Sequence, residues 1–170
     1  MIGTPQRTRR TLADLRRIVV THVYDLAAWI PRVPEIEAKL VLGDRLYDLV
    51  WVASALRDRE LELLGEPDDA PLPQASISRA STTRSRLVSL CTALDQLADQ
   101  FVQAYTSLDP ILDARSCEAL RETARRLRDG IAHTTSAAIP EIAGVDPLDP
   151  LDTGVDWRMP RLPARDDRFT

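Results

Sequence analysis

Apolar residues recur at three- and four-residue intervals along four stretches of the chain, and each such stretch predicts a helix. The first, about 11–30, sets Leu12, Leu15, Val19, Leu26 and Trp29 on one face. Pro34 ends it by pushing Val33 out of helical geometry, and a second helix starts at once over 34–64. Its predicted apolar row is Ile36, Leu40, Leu46, Val50, Ala53, Leu56 and Leu61, and Gly65 stops it. The third, 82–107, opens on Ser81, Thr82 or Thr83 as N-cap and carries Leu87, Leu90, Cys91, Leu94, Leu97, Phe101 and Tyr105. The fourth, 113–138, is capped by Asp113 or Ser116.

The spacing between these helices carries the topology. Tight turns join the first to the second and the third to the fourth, so each pair is expected to form an antiparallel hairpin. The stretch between the pairs, 65–81, is rich in Pro, Asp and Ser. At ~3.3 Å per residue it can span more than about 50 Å, the full length of a bundle. The expectation is an all-α, up-down-down-up four-helix bundle over 1–139 with one long crossover, the ferritin-like arrangement. Beyond Pro140 the chain is studded with Pro, Asp and Gly. Residues 140–170 are expected as an extended tail on the bundle, with Trp157 and then Phe169 as anchors.

Composition narrows the function classes. With 170 residues the chain is one ordinary domain, and 28% charged residues with no run near ~20 apolar positions exclude a membrane helix. The basic N-terminus (Arg7, Arg9, Arg10, Arg16, Arg17) has no apolar segment behind it and does not read as a secretory signal. A net charge of −4 gives no reason to expect nucleic acid. Cys91 and Cys117 stand alone on helical patterns and predict small buried thiols in a reducing cytoplasm. Lys39 is the sole lysine; that skew towards arginine points to a GC-rich bacterial coding sequence.

One segment is more specific. Over Leu26–Leu63, Trp29 and Pro34 lead into Glu37, Lys39, Leu42, Gly43 and Asp48, and then Leu56, Arg57 and Arg59. This resembles a bacterial branch of ferritin-like domain proteins, mostly of unassigned activity. The stretch before and within the fourth helix resembles that family's second hairpin, and "LPARDDRF" its tail. The resemblance implies two metals, held by a carboxylate from each of two helices and a Glu-x-x-His from each of the others.

The chain departs from that pattern at the ligands. The histidine position falls on Trp51, which offers a metal no usable lone pair. On the fourth helix Arg121 and Arg125 stand three residues after Glu118 and Glu122. Residues that could rebuild a site are His22 with Asp25, Glu37 with Asp44 and Asp48, Asp95 with Asp99, and His133 with Asp129; salt bridges to arginine are their default use. No metal or other cofactor is expected.

Three readings of function follow. In the first, a metal-free bundle acts by binding, as a homodimer or as an accessory partner of a pathway enzyme. Val23, Ile30, Val41, Leu49 and Val52 fall off the predicted apolar rows and would form the interface. In the second, Trp29, Tyr47, Trp51 and Tyr105 wall a pocket for a small apolar molecule, with His22, Glu37 or Asp48 as acid or base. That would be a cofactor-independent isomerase, cyclase or lyase of specialised metabolism. The third is an oxidase with atypical metal ligands.

Overall fold

A computed structural model describes residues 5–64 and 82–135; the expected crossover and tail, Trp157 and Phe169 included, lie outside the described residues. Among the described residues the fold is all-helical, with four α-helices and no strand. They are α1 (Pro5–Trp29), α2 (Ile36–Leu64), α3 (Thr83–Thr106) and α4 (Ala114–His133). No helix among them is long and apolar enough to cross a membrane.

The helix ends follow from local chemistry. After α1 a single 3-10 turn, Ile30–Arg32, passes to Val33, which is extended (φ −81°, ψ 125°) as the following proline requires. Glu35 then accepts the first backbone bond of α2, from the N–H of Lys39. Thr82 caps α3, its hydroxyl accepting from the Ser85 N–H at 3.1 Å. Between α3 and α4 the Asp109 carboxylate accepts from the N–H groups of Ile111 (2.8 Å) and Leu112 (2.9 Å). Those two bonds hold the Asp109 carboxyl below its ordinary range. Asp113 sits at the start of α4 but uses its side chain elsewhere, accepting from the Thr8 hydroxyl of α1 at 3.2 Å. α1 thus begins seven residues before Leu12, the first of its apolar row, and the added turns bring Thr8 to Asp113.

Packing is broadest between α1 and α2 and between α3 and α4; α2 also packs along α4, and α1 touches α3 narrowly. The expected rows of α1 and α3 are buried, with Leu12, Leu26, Leu87 and Phe101 wholly inside and Tyr105 half-exposed. At roughly 1.5–3 kcal/mol per large apolar side chain removed from water, this core is the main stabilising term.

The face of α2 is the correction. Ile36 (68% exposed), Leu40, Val50 and Leu61 point outward, not into the core. The residues expected at an interface are instead interior: Leu49 and Val52 are fully buried, and Val23, Ile30 and Val41 pack half-buried against the core. The buried row runs through Ala38, Leu42, Arg45, Leu49, Val52, Leu56 and Glu60. Two charges interrupt that row, whereas the outward row reads as mostly apolar. A helix apolar on two sides offers periodicity two solutions, and the buried charges made the wrong one look better.

Candidate functional site

Those two charges are paired. Glu60 is fully buried and accepts from Arg16 of α1, Nε at 2.7 Å and Nη2 at 3.3 Å. A buried carboxylate needs such a partner, because desolvation of an isolated ion is prohibitive. Arg45 lies in the seam with α4, its Nη1 3.1 Å from Asp48 Oδ2. Gly130 of α4 makes room for it: a Cβ there would overlap the Arg45 guanidinium and come within 3.2 Å of Asp48 Oδ2. The other Asp48 oxygen accepts from Arg126 Nε at 2.8 Å. The Arg126 guanidinium also lies 4.6 Å from the Trp51 ring centroid and 5.6 Å from that of Tyr47. The seam is thus one Asp between two arginines, roofed by two aromatic rings.

This is where Tyr47, Asp48 and Trp51 come together. The other expected site residues are elsewhere. Trp29 is buried at the α1–α3 side under Arg86, 5.9 Å from its ring. Tyr105 pairs with Arg121 at 5.6 Å on the α3–α4 side. The four aromatics are therefore divided among three helix seams, and each seam has its own arginine. Glu37 is exposed in the first turn of α2. His22 is half-buried on α1; burial lowers its pKa from the ordinary 6.5, and Asp25 works against that shift. No single pocket lined by all seven emerges from these positions.

The donor set does not suit the metal pair that the resemblance implies. Both Asp48 oxygens face guanidinium groups, so a dication there would meet two positive neighbours. Asp99 is held by Arg128 at 2.7 Å, Glu118 by Arg121 at 3.2 Å, and both Glu122 and Asp129 by Arg125. Asp44, Asp95 and His133 are exposed. Among the described residues no three His, Cys, Asp or Glu side chains gather as a metal would need. Cys91 and Cys117 are buried free thiols, and burial raises the pKa of each, which disfavours the reactive thiolate.

The residue that sequence reasoning missed is Arg126. Gly130 inside α4 marks the close approach of Arg45, since a helical glycine costs stability unless something needs its space. Beside the seam lies the outward row of α2, where Tyr47 is 66% exposed between Leu40 at 67% and Val50 at 45%. Comparisons of the chain with protein-family models, curated proteins and solved structures found no match.

Proposed function

We propose that this protein is a metal-free bundle of ferritin-like arrangement that acts by binding, through the outer face of α2. The observation that carries the reading is the exposed apolar row Ile36, Leu40, Tyr47 and Val50, on a helix whose opposite side is already buried. The arginine-held carboxylates support the metal-free part, because Asp48 on α2 and Glu118, Glu122 and Asp129 on α4 each meet an arginine.

The up-down-down-up path is part of the same proposal. Supporting it, Arg16 midway along α1 reaches Glu60 near the end of α2, and Thr83 at the start of α3 reaches Glu35 just before α2. Arg59 late in α2 bonds Ser116 early in α4 at 2.9 Å. Two unpaired, buried cysteines support a reducing cytoplasm.

Elemental analysis tests the reading. Protein expressed with added iron and manganese is expected to bind less than about a tenth of an equivalent of metal; a stoichiometric, tightly held ion would overturn it.

A further inference from the structure

The outward row of α2 has a stricter pattern than simple exposure. Ile36, Leu40, Gly43, Tyr47, Val50 and Ser54 follow one another at alternating steps of four and three, and Arg57 and Leu61 continue the series. All eight positions are exposed. This is the spacing of a coiled-coil seam, roughly 37 Å long at 1.5 Å per residue. A seam of that kind is matched by another helix bearing the same spacing.

We propose that the occupant is α2 of a second copy of this chain, packed antiparallel about a two-fold axis between Tyr47 and Val50. The proposal rests on the binding reading above and names its partner. Size argues for it. In this register Tyr47 of each copy lies against Val50 of the other, Gly43 against Ser54, and Ile36 against Leu61. Large thus meets large at the centre, small meets small beside it, and the helices approach most closely at the glycines. A Cβ at Gly43 would meet nothing within 4 Å, so the space there belongs to the solvent side.

Charge argues for the same orientation. Arg57 would lie against Leu40 of the other copy, which the exposed acids Glu37 and Asp44 flank. Each arginine would therefore meet two carboxylates across the axis. A parallel pairing would set Arg57 against Arg57 and leave Gly43 opposite Gly43, with a gap where the antiparallel form has contact.

The test uses the full chain. Light scattering from micromolar to high concentration is expected to give twice the chain mass, and Tyr47→Glu to raise the dissociation constant at least about tenfold. The Arg57→Glu variant is expected to weaken association, and adding Glu37→Arg with Asp44→Arg to restore it, a pattern that misfolding would not produce. For orientation, a mixture of Tyr47→Cys and Val50→Cys chains is expected to cross-link to each other in preference to either alone; the native thiols are buried. A monomer throughout would overturn the proposal, as would a dimer indifferent to Tyr47→Glu or a Tyr47→Cys chain that cross-links best to itself. Metal content decides the underlying reading separately: a metal-free monomer sinks this inference alone.

Discussion

The two sides of α2 differ in a direction that hydrophobicity does not predict. The inward row holds Arg45 and Glu60 and is buried; the outward row holds Ile36, Leu40, Tyr47 and Val50 and faces water. What decides the matter is whether each buried charge finds an opposite charge and room for its side chain. Arg16 neutralises Glu60, and Gly130 with Asp48 accommodates Arg45. A charged residue can sit in a core row when its counter-ion and the space for it are both supplied, and an apolar row can stay outside when no described helix covers it.

The sharpest way to break that contrast is to remove a counter-ion. Arg16→Ala leaves Glu60 buried with its partner gone, and urea unfolding should show a loss of about 3–5 kcal/mol. Next come two adjacent residues. Leu49→Ala should cost about 2–5 kcal/mol as a core cavity, whereas Val50→Ala should stay within about 0.5 kcal/mol in the monomeric state. Equal losses from the pair would mean that the two faces have been confused. Gly130→Ala should cost about 1–3 kcal/mol by driving Arg45 from the α2–α4 seam, and a second change, Arg45→Ala, should recover part of it.

The smallest effect is a pH dependence. Burial lowers the His22 pKa in the folded protein, so the unfolded chain binds the proton more readily. Stability from the neutral imidazole is therefore complete above the unfolded value of 6.5 and is lost as pH falls from there towards the lowered folded value. Urea midpoints should drop between about pH 7.5 and 5.5, and His22→Gln should flatten that change. A midpoint that rises on acidification would reverse the assignment.

Much of the fold was legible in the pattern of the chain. Pro34 marked the first turn, the run Ser81, Thr82 and Thr83 the start of the third helix, with Thr82 the cap, and the rows of α1 and α3 were those that are buried. The α2 face was not legible, because a single helix does not reveal which of its charges another helix will neutralise. The candidate site was legible only in part. Tyr47, Asp48 and Trp51 share one helix and so share a neighbourhood, but Arg126, 78 positions along the chain from Asp48, does not declare itself. Glu37 stands exposed in the first turn of α2, and its position, like those of Val41, Leu49 and Val52, follows from which way α2 is turned.

The spacing along the chain of the contacts that join the helices also bears on how the fold assembles. Within each hairpin the contacts are between helices joined by a short turn. The ties between hairpins are remote, 78 positions for Arg126–Asp48 and 105 for Thr8–Asp113. Closing such large loops costs entropy before any contact rewards it, so the hairpins should form early and dock late. Asp48→Asn should then speed unfolding and leave the rate of hairpin formation almost unchanged, making this carboxylate a latch on the folded state and not a seed for it.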